Sequence, residues 1–342
     1  KERRINALAE LGTFMREYAE NNSAEQSPDY SEFDALVRRS RLENPWFTEE
    51  NTKFALQQWG ALLTVEKLYG WADAYKPSAT PKKVGLILAG NIPLVGWHDV
   101  MAVVLSNHIP LIKLSSKDRL IIPFLLKKWN ELSDNAIQYE IVEKLQDYDA
   151  VIATGSNNTA RYLDYYFKDT LHIIRKNRTS VAVLSGNESD AELRLLAQDI
   201  FQYYGLGCRN VTRLFLPANF PLDRLFENFT DHSDIINHHK YANNYDYNKA
   251  IYLLNGDNFW DNNFVMMREN EELFSPLSVL NFSRYNDIGE VKAFIDANEK
   301  DIQAIVAVPG LGLDSVNFGE AQCPSLDTYA DNVDTMQFLE VI

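Results

Sequence analysis

Cys208 is the side chain best placed by its neighbours to act as a nucleophile. The run Gly205-Leu206-Gly207-Cys208-Arg209-Asn210 sets a thiol behind two glycines and just ahead of a strand-like stretch at 212–216. Glycine has no Cβ, so another molecule can approach the sulfur closely, as covalent catalysis requires. The same residue also reads as a small buried hydrophobe, and local sequence alone leaves both readings open. His232, Asp234, His238 and His239 cluster along the chain, but their spacing fits no metal-ligand pattern, and they read as a solvated loop with no metal. His98 reads as a packed helix histidine, and the aromatic stretch 162–167 as core.

Around these residues lies a chain of 342 residues with a net charge of −15 and 46% hydrophobic residues. An acidic chain with no dense Lys/Arg block is not built to neutralise phosphates, so nucleic acid is excluded as a partner. Two cysteines are too few for a disulfide framework and point to a reducing compartment. The most apolar stretches, 84–94 and 120–126, are far shorter than the ~20 residues of a membrane helix. The opening Lys1-Glu2-Arg3-Arg4-Ile5 does not resemble a signal peptide, so a cytoplasmic location is expected.

Apolar residues recur at helical spacing in the first seventy positions, through Ile5, Leu8, Leu11, Phe14, Met15 and Tyr18, and again from Phe54 to Leu68. After the linker 76–81, short apolar runs alternate with amphipathic stretches. The pattern predicts strands at 84–89, 109–114, 139–142, 150–153, 181–184 and 212–216, and helices at 96–105, 118–132 and 158–167. Such alternation specifies an α/β protein with a parallel sheet. Ser189 and Glu192 have capping-box spacing and open a helix predicted to run through Tyr203-Tyr204 to Gly205. The Asn-, Asp-, Tyr- and His-rich region 228–263 is expected at the surface with one strand, 250–254.

Five segments in order resemble the aldehyde dehydrogenase superfamily. They are Val84 to Leu94, with Ala89-Gly90-Asn91-Ile92-Pro93; Leu111-Ile112-Lys113-Leu114-Ser115-Ser116; Ala153-Thr154-Gly155-Ser156; Gly205-Leu206-Gly207-Cys208 with Arg213 five residues on; and Glu271-Glu272-Leu273-Phe274-Ser275-Pro276. The resemblance implies a Rossmann-like cofactor domain and an α/β catalytic domain. It makes Cys208 the nucleophile and Asn91 an oxyanion donor. It assigns Lys113, Ser115, Ser116, Gly155, Ser156, Glu272 and Phe274 to a nicotinamide cofactor. The implied layout is helices and NADP(H)-binding domain at 1–178, catalytic domain at 179–325 and an oligomerisation segment at 326–342, in a homodimer or larger assembly.

Two departures narrow the branch. Where the superfamily carries the carboxylate that activates a deacylating water, counting places Ile174, so the acyl-enzyme lacks that base. Together with Tyr204-Gly205-Leu206-Gly207-Cys208-Arg209-Asn210-Val211, this resembles the bacterial fatty acyl-CoA reductases of the LuxC type, from about residue 50 onward. Ser116 replaces the ribose-binding Glu, and with Lys113 and Lys117 nearby this implies NADPH, with NADH the alternative. The implied activity is reduction of acyl-CoA to an aldehyde through a cysteine thioester. Reduction of an acyl phosphate, oxidation of an aldehyde and a non-catalytic scaffold are the competing readings. Acyl chain length and any partner enzyme of the pathway stay open.

Overall fold

The computed structural model describes residues 1–20 and 28–342. They form two units, Lys1–Asn177 with Ser325–Ile342, and Arg178–Pro324. The first unit begins with four helices: α1 (Glu2–Glu20), α2 (Pro28–Glu43), α3 (Glu49–Leu62) and α4 (Val65–Ala72). The apolar stripe expected on α1 is buried throughout, from Ile5 to Tyr18. The periodic run from Phe54 to Leu68 is two helices, because the Thr64 hydroxyl accepts from the Lys67 N–H and starts a new N-cap there.

The alternating part of this unit comprises β1 (Lys83–Ile87), α5 (Trp97–Leu105), β2 (Ile109–Lys113), α6 (Ile121–Leu132), β3 (Glu140–Ile141), β4 (Ala150–Thr154), α7 (Asn157–Tyr166) and β5 (Leu171–Arg175). The strands make a parallel sheet in the order β3-β2-β1-β4-β5. Strand order therefore reverses between β1 and β4, the place where open α/β sheets leave a crevice at their carboxyl ends. The aromatic stretch 162–167 departs from expectation: Tyr162, Tyr165 and Tyr166 are 81%, 74% and 72% exposed, and over 157–167 only Ala160 and Phe167 are buried. This helix lays a small residue on the sheet and turns its tyrosines outward.

The second unit contains β6 (Thr179–Val183), α8 (Asp190–Phe201), β7 (Val211–Pro217), α9 (Leu222–Phe229), α10 (His239–Asn255), β8 (Trp260–Asp261), β9 (Met266–Glu269), β10 (Val279–Tyr285), α11 (Ile288–Ala297) and β11 (Ile302–Ala307). Its sheet runs β11-β6-β7-β10-β9-β8, parallel except for the β8–β9 pair. The capping box at Ser189 and Glu192 forms as expected. That helix stops at Phe201, short of the predicted end, because Tyr203 and Tyr204 both take left-handed conformations.

Residues 250–254 are not a strand but the last turns of α10. Tyr241, Tyr245, Asn248 and Tyr252 form its buried face, a helical period masked by the polar residues between them. Gly256, at φ 70°, closes it with a Schellman-type cap in which the Asp257 N–H bonds the Tyr252 carbonyl.

Segment Ser325–Ile342, with α12 (Thr335–Glu340), belongs to the first unit, where Leu326, Tyr329, Met336 and Leu339 join the main apolar cluster. A buried ion pair anchors it: Arg175 donates to Asp99 on α5 and to the Thr335 hydroxyl at 2.9 Å. Both charged side chains are nearly inaccessible, so deleting one strands the other. Arg175→Ala is expected to cost about 3–5 kcal/mol in urea unfolding, and Arg175→Met combined with Asp99→Leu to recover most of it.

Candidate active site

All three cofactor-type segments of the first unit sit at the carboxyl ends of neighbouring parallel strands. Asn91 follows β1, Lys113 ends β2 with Ser115 and Ser116 just after it, and Gly155 and Ser156 follow β4. Asn91, Lys113, Ser116 and Ser156 are exposed, and Ser115 and Gly155 are half-buried. A Cβ on Gly90 would lie 2.5 Å from the Ser115 hydroxyl, so only glycine lets the loop after β1 close on the turn after β2. Asp118 ties the two together by accepting the Leu94 N–H at 3.1 Å, where Leu94 itself has φ 60°. Ser156 caps α7 by accepting the Thr159 N–H, and no acidic residue lies in the first turn of that helix. Its N-terminus keeps the positive end of its dipole unneutralised.

In the second unit, Cys208 is a half-buried thiol outside any disulfide, in a turn held by side chains. Asn210, fully buried, accepts the Gly207 N–H at 2.8 Å and donates to the carbonyls of Asp199, Ile200 and Gln202. Ser180 donates to the Cys208 carbonyl at 3.1 Å. Burial lowers the pKa of Arg209, while the charge of the Cys208 and Cys323 thiolates opposes that shift. Burial also pushes the Cys323 thiol up, reinforced by Asp199 and Glu320.

The exposed Glu272 and Phe274 ride on a turn fixed from beneath. Arg213, fully buried on β7, donates to the Glu272 carbonyl at 2.8 Å and to the Ser283 hydroxyl at 2.8 Å. Its guanidinium lies over the rings of Phe215 and Phe294. Asn281 donates to the carbonyls of both Glu272 and Phe274, and Asn270 accepts the Glu272 N–H. β7 thus has Asn210 beneath the thiol turn at its entrance and Arg213 beneath the Glu272 turn two residues into the strand.

The acyl-CoA reductase (LuxC) family matches residues 35–222, more than half of the chain. The chain belongs to this family. That makes it an oxidoreductase of aldehyde-forming or aldehyde-processing type. A comparison with curated proteins gives no match. Solved structures with the same fold include aldehyde dehydrogenase 21 from Physcomitrella patens in complex with succinate, at 12% identity and TM-score 0.63, covering 99% of this chain and 87% of that one. An NAD-dependent benzaldehyde dehydrogenase from Corynebacterium glutamicum aligns at 12% identity and TM-score 0.60, covering 88% and 76%. A Mycobacterium tuberculosis aldehyde dehydrogenase complexed with NAD+ aligns at 14% identity and TM-score 0.54, covering 89% and 77%.

Within this LuxC-family chain, three side chains that could otherwise serve as a water-activating base, Glu188, Glu192 and His98, each have partners of their own. Glu188 is buried and accepts from the N–H groups of Ser185 and Gly186, and Glu192 is held by the capping box. His98 donates from Nε2 to the Leu326 carbonyl at 2.8 Å and packs beside Trp71 and Tyr329, as a packed helix histidine should. Ile174 lies on β5 and packs with the Val151, Ala153 and Phe167 cluster. Among the described residues no group of three or more His, Cys, Asp and Glu could hold a metal, and no helix is long and apolar enough to cross a membrane. The histidine-rich stretch is a 3₁₀ turn running into α10 rather than an open loop, with His232 stacked on Phe201 and His238 on His239.

Asn210, Arg213, Asn281 and Asp118 are the supporting residues that local sequence did not single out for these duties. Asn210 and Arg213 stand in the quoted motifs without an assigned task, and for Asn281 and Asp118 the sequence signal is a polar side chain beside or inside an apolar strand or helix. Asp118 also makes this part of the molecule pH-sensitive, since burial raises its pKa from 3.8 to about 7. The folded chain therefore binds this proton more tightly than the unfolded chain, and stability falls as pH rises from about 4 to 7. Asp118→Asn should remove this group's part of the slope, as read from urea unfolding at a series of pH values in that window. An unchanged slope would show that Asp118 titrates normally.

Proposed function

We propose that this chain reduces acyl-CoA to an aldehyde by way of a thioester on Cys208. The observation that carries the reading is a half-buried thiol in a turn locked by Asn210 and Ser180, in a chain whose family is that of the acyl-CoA reductases. The Cys208 thiolate attacks the thioester carbonyl, and the Cys208 backbone N–H stabilises the oxyanion. The C–S bond to CoA breaks, CoA departs as its thiolate, and the acyl group stays on Cys208. Hydride added to that carbonyl would give the thiohemiacetal alkoxide, whose collapse re-forms the C=O, expels the Cys208 thiolate and releases the aldehyde.

The hydride is the chemistry that a bound reduced nicotinamide dinucleotide supplies. The residues present fit such a group. The exposed lysines Lys113 and Lys117 flank Ser115 and Ser116 on a turn whose own carboxylate, Asp118, is buried against the Leu94 N–H. The α7 N-terminus at Gly155-Ser156 suits a phosphate, and Glu272 and Phe274 stand on a rigid turn suited to orient a ribose and a ring. A neutral, exposed Ser116 between lysines favours NADPH over NADH, because no carboxylate there repels a 2′-phosphate. Hydrolysis of the acyl-enzyme is disfavoured by the same side chains that fail as bases: Ile174 is apolar, and Glu188 and Glu192 are bound to backbone N–H groups.

Octanoyl-CoA supplied without a reductant should leave one acyl group on Cys208 and little free acid, as read by intact-protein and peptide mass spectrometry. An adduct on Cys323, or none, would overturn the assignment. Ser116→Glu should weaken NADPH binding by tenfold or more relative to NADH, since close like charges cost about 1 kcal/mol in water and several when partly buried. Equal losses for both cofactors in a fluorescence titration would remove Ser116 from the 2′ position.

A further inference from the structure

Cys208 and Arg209 are the two central residues of a tight turn. The Asn210 N–H bonds the Gly207 carbonyl at 3.1 Å, and the Asn210 side chain accepts the Gly207 N–H at 2.8 Å, so the turn is closed twice. The α-carbons of consecutive residues are about 3.8 Å apart, and the thiol and the guanidinium leave the same corner of the chain. Arg209 is half-buried, yet among the described residues nothing accepts a hydrogen bond from its guanidinium and no carboxylate pairs with it. The buried arginines Arg175 and Arg213 both have acceptors. A partly desolvated cation without an acceptor is a cost unless an anion faces it. The negative charges that act on Arg209 are those of the Cys208 and Cys323 thiolates.

The two thiols are not equivalent. Asp199, near the end of α8, ties the turn that carries Cys208 to the segment that carries Cys323. Its carbonyl accepts from the Asn210 side chain at 3.2 Å, and its carboxylate accepts the N–H groups of Gly319 at 2.6 Å and Ala321 at 3.0 Å. Burial raises Asp199 to about 7, and its charge and that of Glu320 oppose ionisation of Cys323. Tyr203, which also faces Cys323, is buried and keeps its proton. Glu188, Glu192 and Asp199 are each committed to backbone N–H groups. A thiol can be ionised without such a base by a cation at its side. We propose that the Arg209 guanidinium is that cation, holding the Cys208 sulfur as the thiolate while the thiol proton passes to solvent before substrate arrives. The inference rests on the reading of Cys208 as the nucleophile and adds the residue that makes it one. Cys323 stays a thiol, because Asp199 and Glu320 offset the same guanidinium there.

The test is the pH dependence of alkylation by iodoacetamide in wild type, Arg209→Met and Arg209→Lys, read separately at Cys208 and Cys323 by peptide mass spectrometry. No acyl donor enters it, so the outcome is independent of the substrate. In the wild type, Cys208 should ionise with a midpoint below the ordinary thiol value of about 8.5, and Cys323 above it. Arg209→Met should raise the Cys208 midpoint by about one unit or more, a loss of about tenfold or more in alkylation rate at neutral pH, and Arg209→Lys should retain most of the wild-type behaviour. Acylation by octanoyl-CoA should follow the same midpoints, with Arg209→Met approaching the wild-type rate once the pH exceeds its own midpoint. Equal Cys208 midpoints in wild type and Arg209→Met would overturn the role of Arg209 and leave the proposed function standing. A raised midpoint in Arg209→Met, with no acylation of any of the three proteins at any pH, would support the role of Arg209 and overturn the proposed function. If Arg209→Met does not fold, the other two proteins decide: a Cys208 midpoint at or above about 8.5 overturns the inference, and one lowered in both supports it.

Discussion

The thiol turn depends on one buried amide. Asn210 closes the chain between the end of α8 and the start of β7 by bonding one N–H and three carbonyls. Those carbonyls belong to the last turn of α8 and the residues after it, where a helix leaves its acceptors unsatisfied. A ligand or water could satisfy them in a looser protein. Here the side chain does so from a fixed position at the start of a strand, and the turn carrying Cys208 inherits that rigidity. An amide suits this role because it presents a donor and an acceptor at once, whereas a carboxylate would repel the carbonyls.

The same economy governs the opposite side of β7. Arg213 is a full charge with no exposed surface, an arrangement that is costly unless the guanidinium is engaged. Two aromatic faces and two acceptors engage it, and one acceptor is the carbonyl of Glu272. Asn281 on β10 grips the same carbonyl and that of Phe274. A two-strand platform therefore carries both turns of the second unit, and the side chains of Glu272 and Phe274 are exposed on a backbone held by buried hydrogen bonds.

In the first unit the organising constraint is geometric. Parallel strands β1, β2 and β4 deliver their following loops to one edge of the sheet, so residues more than sixty positions apart share a rim. Gly90 and Asp118 then draw two of those loops into contact. The cost is a buried carboxyl near neutrality and a strained Leu94, which is why this rim responds to pH.

Much of this protein was legible from its residues. The helical stripe of α1, the parallel α/β alternation, the Ser189–Glu192 capping box and the packed His98 follow from spacing and side-chain chemistry that act over a few positions. Ala89–Pro93 with Tyr204–Val211 were enough to resemble the family to which the chain belongs. Tertiary structure decided what depends on distant partners. It ended α8 before Tyr203, turned 250–254 into helix, exposed the tyrosines of α7 and gave Asn210, Arg213, Asn281 and Asp118 their tasks. Local patterns record which face of an element is apolar, but a buried polar group acquires its purpose only from acceptors and donors brought to it by the fold. The left-handed tyrosines illustrate the limit: each is an ordinary helix residue by sequence, and packing at the end of α8 forces both into a conformation that neither would adopt alone.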